Sequence, residues 1–545
     1  MKIDRYSVKG NLVDPIERVT RSIVIEVENG VISQITQINS CGGPYILPGF
    51  IDSHIHIESS MLIPSRFAEM AVVHGTVAVV ADPHEVANVA GVEGIRFMQA
   101  NADKVPLKFF FGVPSCVPAS THEKSGAILD STLVSKLIAE QNFFFLAEMM
   151  NFPGVINNDP EVIAKLSATR KTGKPIDGHV PGLSSELLTK YVQSGITTDH
   201  ECSTMEEAEE KIKLGMKILI REGSAAKNFE SLVPLLKKYP KQIMFCTDDC
   251  HPDYLSSGHI NKIVSRAIAK GYDLYDIIYA ACITPIKHYN LPLGSLRVGD
   301  KATFILLNNL TDFEVIETHI DGEKVFAKGK VLFDQPIEEI QPFPFRTTHH
   351  KGSLKVISSA FKLNVIEALD GELLTNRLII DSPVNKGEVL NTDTGKDLLK
   401  IVLLDRYNNT PPKVAFIKGF GLKYGALAAS IAHDSHHIVS VGCDDDSIDN
   451  ALEWVVKNRG GLCYFNADNG DGIDLPFFGL MTHDEGNKVS FKYNRLNAKI
   501  HQAGCVLKSP FMTASFMALT VIPSLKINHN GLFDSLNFKS LSLFQ

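Results

Sequence analysis

Between residues 49 and 250 the chain alternates eight short apolar runs with helix-like segments, and this alternation limits its possible folds more than any other feature. The runs read GFIDSHIHI, TVAVVAD, LKFFFGV, FFFLAEM, PIDGHV, GITTDHE, MKILIRE and QIMFCTDD. Short, nearly continuous apolar runs are what strands buried on both faces of a parallel sheet look like. Between them lie IPSRFAEMAVVHG, DPEVIAKLSATRKTG, LSSELLTKYVQSG and STMEEAEEKIKLG. All four stop at a glycine, His74-Gly75 among them, and Asp159 and Ser203 stand as N-caps. Parallel strands need crossover connections, most often helices. An α/β fold is therefore expected, with a (β/α)8 barrel over residues 48–285. A doubly wound open sheet fits the same count.

The flanks read differently. Residues 1–47 alternate in period two around Asn29-Gly30, a strong hairpin signal. After residue 285, GSLRVGDKATFILLN and THIDGEKVFAKGKVLF return to strands. Segments 1–47 and 286–344 together are expected to form one small β domain split by the barrel. Residues 345–545, after the Pro-rich QPIEEIQPFPF, form a third, α+β unit.

Barrels of this kind carry their chemistry at the C-terminal ends of the strands. Strand one ends in His54 and His56, which share a face because strand side chains alternate. Chance alone supplies about one such pair in a chain with 19 histidines, so the motif says little by itself. A lone imidazole in an apolar run is ordinarily a hydrogen-bonded core residue. Here, however, Asp82, His84 and Glu85 follow strand two. Glu148 ends strand four and His179 strand five; His200 and Glu201 end strand six, and Asp248 and Asp249 strand eight. Burying so many polar groups without partners is costly. A binuclear metal site gives them a common purpose. His54, His56 and Asp248 would hold one ion, His179 and His200 the second, and Glu148 would bridge. Imidazole and carboxylate suit Mn(II), Fe(II) or Zn(II). Two ions sharing ligands make hydroxide available at neutral pH. Asp248 would double as proton acceptor, with Glu58, Glu85, Glu201 and Asp249 as further acid–base or substrate-holding groups.

A net charge of −8 gives no reason to bind nucleic acid or an anionic membrane. No apolar run reaches the ~18–20 residues of a membrane span, and MKIDRYSVKG is no leader. The nine scattered cysteines form neither a disulfide framework nor a zinc ribbon. A cytoplasmic protein, assembled as a homo-oligomer such as a dimer, is expected.

PGFIDSHIH is similar to the strand-one signature of the amidohydrolase superfamily, and GSLRVGDKATFILLN resembles the return into its split β domain. Within that superfamily the chain resembles the bacterial and archaeal adenine deaminases. The matching segments are HIHIESSML, VADPHEVANVAG, LAEMMNFPGV, DGHVPGL, TTDHECST, REGSAAKN and FCTDDCHPDYLSSGHI. AFIKGFGLKYGALAASIAHDSHHIVSVGCDDD and NRGGLCYF look like the extra C-terminal domain. The resemblance implies hydrolysis of adenine to hypoxanthine and ammonia, with a metal-activated hydroxide attacking C6. It also implies two divalent ions on His54, His56, Glu148, His179, His200 and Asp248. Several other aminohydrolase branches place a Glu three residues after the strand-five histidine. Here that residue is Gly182, so the ring acid comes from elsewhere, Glu85 or Glu201 being the candidates. Arg221, Glu222 and Ser224, after strand seven, are expected to contact the substrate edge. HDSHH, 433–437, reads either as a cover on the pocket or, more plainly, as a capped turn after a helix-like YGALAASIA. Two other functions fit less of the sequence: hydrolysis of a cyclic amide, and metal-dependent binding without catalysis. His56-Ile57-Glu58 mimics the HxE of cytidine deaminases, but no PCxxC follows.

Overall fold

The computed structural model describes residues 5–224 and 226–545; residues 1–4 of the N-terminal segment and Ala225 in REGSAAKN lie outside the described residues. The chain opens with β1 (Arg5–Asp14), β2 (Val19–Glu28), β3 (Val31–Gln37) and β4 (Tyr45–Pro48). Asn29 and Gly30 turn β2 into β3 with φ of 51° and 80°, the left-handed pair that a two-residue hairpin requires.

The eight runs follow as β5 (Phe50–His56), β6 (Thr76–Ala81), β7 (Lys108–Val113), β8 (Phe145–Met149), β9 (Ile176–Gly178), β10 (Thr198–Asp199), β11 (Lys217–Arg221) and β12 (Ile243–Cys246). β13 (Asp248–Asp249) prolongs the last of them. β5 to β9 pair in order, β10 to β12 pair in order, and β13 returns to β5, all in parallel. Thr197 N–H donates to Ile176 O at 2.9 Å across the remaining step, and Thr247 N–H donates to Asp52 Oδ1 at 3.1 Å beside the β5 junction. An open sheet would leave its first and last strands apart; here the last run lies on the first, as in a (β/α)8 barrel.

Local signals hold along the connections. Asp159 caps the helix Pro160–Thr172 by accepting from Glu161 and Val162 N–H, and Gly173 ends it at φ 73°. For the helix Met205–Lys213 the cap is Thr204 rather than Ser203, whose N–H instead donates to the Glu207 carboxylate. After the barrel come β14 (Phe304–Leu307), β15 (Val315–Ile320), β16 (Glu323–Ala327) and β17 (Lys330–Val331). They join the N-terminal strands in one eight-stranded sheet, in which β14 pairs with β4.

A second eight-stranded sheet lies beyond residue 360. YGALAASIA is not helical: Ala426–Ala432 is a strand of this sheet, paired with His437–Gly442. Period-two alternation decides its packing. Ala426, Ala428, Ile438, Val402 and Leu404 face the helix Asp445–Asn458. Leu427, Ala429, Val439, Ile401 and Leu403 belong to the core shared with the barrel. No helix among the described residues is long and apolar enough to cross a membrane.

Candidate metal centre

The strand-end residues converge at the C-terminal rim of the barrel. β5 brings His54 and His56 together with ring centroids 4.9 Å apart. Glu148, at the end of β8, sits between two sets of imidazoles. Its Oε1 is 3.3 Å from His56 Nε2 and 3.9 Å from His54 Nε2. Its Oε2 is 2.7 Å from His179 Nδ1 and 3.2 Å from His200 Nε2. Asp248 Oδ1 lies 3.2 Å from His56 Nε2, and Oδ2 lies 3.8 Å from His200 Nε2. Donors about 2.1 Å from one ion stand about 3.4 Å apart across a tetrahedral edge. Three of the six separations lie within about 0.2 Å of that spacing.

The protonation states suit cations as well. Burial holds His54 neutral, well below the usual imidazole range, and its Nε2 is buried with no hydrogen-bond partner among the described residues. A neutral imidazole with an unused nitrogen facing carboxylates is in the state of a metal ligand. His56 Nδ1 lies 3.1 Å from Asp82 O, an outer contact of the kind that orients a ligand's other nitrogen. Burial opposes a charge on His179, yet Glu201 and Glu148 raise it to about 9. Burial likewise opposes the Asp248 charge, but Arg221 and His56 hold that carboxyl well below its usual range. Negative charge this concentrated calls for positive partners, and divalent ions meet that demand.

The acid–base and substrate residues expected from the sequence divide in two. Glu201 reaches the cluster, 3.4 Å from His200 Nε2, and is bonded to Arg221. Asp249 accepts from Ser59 Oγ at 2.5 Å, and burial pushes its carboxyl up. Glu58 Oε1 takes the Val86 N–H at 3.0 Å while Oε2 is buried without a partner; burial pushes this carboxyl up to about 7. Three residues expected at the substrate edge have protein partners in the structure. Arg221 is buried between Glu201 and Asp248 as their charge partner. Glu222, one residue past the end of β11, turns away from Arg221 to Arg266, 2.5 Å distant. Ser224 Oγ accepts the His251 N–H at 2.8 Å and so braces a loop.

Other residues join the site. His84 Nδ1 is 3.0 Å from Asp82 Oδ2 and 3.5 Å from Glu148 Oε1. The DPHE after the second run was the available signal. The 433–437 segment is no plain capped turn: His433 Nδ1 lies 2.6 Å from Glu85 Oε1, and His436 Nε2 bonds Glu85 Oε2. The HDSHH motif pointed to a pocket cover, but nothing in the sequence pointed to Glu85 as the partner of these two histidines.

A closed parallel barrel with imidazoles and carboxylates gathered at its C-terminal rim has the build of an amidohydrolase. Residues 45–332 match the amidohydrolase family, and residues 372–539 match the adenine deaminase C-terminal domain. The adenine deaminase of Methanosarcina mazei is 48% identical over 98% of this chain and 99% of its own. Those of Sulfurovum sp. and Parabacteroides distasonis are 47% and 46% identical, covering 97% and 98% of this chain and 98% of each relative. The chain belongs to the adenine deaminases of the amidohydrolase family.

Proposed function

We propose that the protein hydrolyses adenine to hypoxanthine and ammonia. The observation that carries this reading is the placement of Glu148 in a chain of this family, each oxygen facing its own pair of imidazoles. His54, His56 and Asp248 would hold one divalent ion and His179 and His200 the other, with Glu148 shared. When bound, such a pair supplies Lewis acidity and makes water acidic near neutral pH.

The chain's own groups supply the proton transfers. Asp248, kept ionised beside Arg221, accepts the proton that water loses on adding to C6. It returns that proton to the exocyclic nitrogen, which leaves as ammonia rather than as amide ion. Glu85 faces the ring edge, and Glu201 with Arg221 holds Asp248 in line. Glu58, buried, and Asp249, half-buried, take substrate N–H donors beside this group. General acid–base help of this kind contributes about 10²–10⁴ in rate. This reading includes Mn(II) or Fe(II), with Zn(II) as a further choice, a dimer, and a cytoplasmic location that suits nine unpaired cysteines. It also divides the chain at residues 47, 285 and 344, in keeping with one eight-stranded sheet that takes strands from before and after the barrel and a second that begins beyond residue 360.

The test is ammonia release from adenine, adenosine, guanine and cytosine, and ring opening of a hydantoin, on protein loaded with Mn(II), Fe(II) or Zn(II). Turnover of adenine is expected; no ammonia from adenine with any of the three metals would sink the reading. In the same preparations His179→Ala should lower the metal content from two ions per chain towards one. A ratio that stays at two would remove His179 from the ligand set.

A further inference from the structure

We propose that the C-terminal unit completes the catalytic site: His433 and His436, on one hairpin loop, are positioning residues that clamp Glu85 at the rim of the metal-binding cluster. This proposal rests on the adenine-hydrolysing reading above.

The loop joins the strands Ala426–Ala432 and His437–Gly442. Hairpin tips ordinarily lie in solvent. Here His433, Asp434, Ser435 and His436 are only 5%, 3%, 3% and 2% exposed. Tyr407 OH donates to Ser435 O at 2.6 Å, and the His433 ring stacks on Phe516 with centroids 4.6 Å apart and planes at 12°. The loop is therefore held in place rather than merely covered.

What it delivers is two imidazoles, one to each oxygen of a single carboxylate. His433 Nδ1 is 2.6 Å from Glu85 Oε1, and His436 Nε2 bonds Oε2. A carboxylate gripped at both oxygens keeps one rotamer and one orientation. Glu85 in turn lies 3.5 Å from His84 Nε2, whose Nδ1 is 3.5 Å from Glu148 Oε1. The clamp thus reaches the proposed bridging carboxylate through one intervening ring.

Burial disfavours a charge on Glu85, yet His433 and His436 hold its carboxyl well below the usual range. Burial also opposes a charge on His433, but Glu85 and Asp249 raise it to about 9. Burial takes His436 down to about 4, so it donates as a neutral ring. Asp434 and His84 also face this group. Stability alone gives no reason for such a buried ionic group, since an apolar replacement of similar volume is commonly as stable. Its position beside the cluster gives a catalytic one.

The experiment uses the full-length, Mn(II)-loaded protein. His433→Asn, His436→Asn, Glu85→Gln and the two doubles with Glu85→Gln are compared for kcat and KM on adenine, metal content and thermal midpoint. Each single should lose about 10- to 100-fold in kcat with KM changed less than about threefold and two ions retained. Each double should be no slower than Glu85→Gln alone, because the histidines act through that carboxylate. Losses that multiply, or full kcat in both histidine variants, would overturn the clamp. Phe516→Leu loosens His433 without removing it, and serves if His433→Asn does not fold. Its kcat loss should vanish on Glu85→Gln; a loss that persists there also counts against the proposal. A wild type that releases no ammonia from adenine fails the functional reading, whereas an active wild type with equally active histidine variants fails the clamp alone.

Discussion

Glu148→Gln is expected to cost at least about 10³-fold in kcat/KM, about 4 kcal/mol of transition-state stabilisation, and to lower the bound metal below two ions per chain. The substitution keeps the shape of the side chain and removes its charge. In the wild type, Oε1 faces His54 and His56 while Oε2 faces His179 and His200. A glutamine offers one neutral oxygen, and its amide nitrogen points N–H groups at whichever pair it faces. That pair is left with two imidazoles around a donor where an ion needs an acceptor. Metal analysis and steady-state kinetics on the same samples check this. Two ions and near wild-type kcat/KM in Glu148→Gln would show that the carboxylate is structural.

Lys211→Met is expected to destabilise the fold by about 3–5 kcal/mol, the usual result of breaking a buried ion pair from one side. Lys211 is wholly buried, and its Nζ donates to Asp199 Oδ2 at 3.0 Å, Glu207 Oε1 at 2.8 Å and Val180 O at 2.7 Å. Asp199 also takes the N–H groups of Val180 and Glu201, so the pair ties together the ends of β9 and β10 beside His179 and His200. Burial alone would push the Asp199 carboxyl up, but Lys211 brings it down to about 2. An aspartate depressed in the folded state adds stability above its unfolded pKa of about 3.9 and loses it as pH falls towards 2. Without Lys211 the burial effect prevails, the folded pKa rises above the unfolded one, and the sign reverses. The deficit of the variant should therefore grow from about pH 4 to pH 7. Thermal midpoints by circular dichroism across that range test it; a deficit independent of pH, or below about 1 kcal/mol, would show the ion pair to be dispensable.

Much of the barrel was legible because its signals are local. A strand buried on both faces must be apolar along its length, and helix ends need caps and left-handed stops, as at Asp159 and Gly173. The six proposed ligands were legible because each stands at the end of such a run. Directions beyond a strand end were not. Glu222 and Ser224 follow Arg221 in sequence but turn to Arg266 and to the His251 backbone, and only the fold around β11 decides that. YGALAASIA misled because small residues carry little periodicity; a sheet packed on both faces claimed it as the strand Ala426–Ala432.

By itself the sequence determined the alternation of strands and helices, the split β segments and the placing of imidazoles and carboxylates at strand ends. These follow from side-chain period and local backbone preference, which act over a few residues. Tertiary structure alone decided that β13 pairs with β5, that Arg221 and Lys211 are buried counter-charges, and that a loop near residue 435 grips Glu85. Those contacts join residues up to 351 positions apart. They exist only where packing has removed water, which lets one carboxylate and two imidazoles satisfy one another.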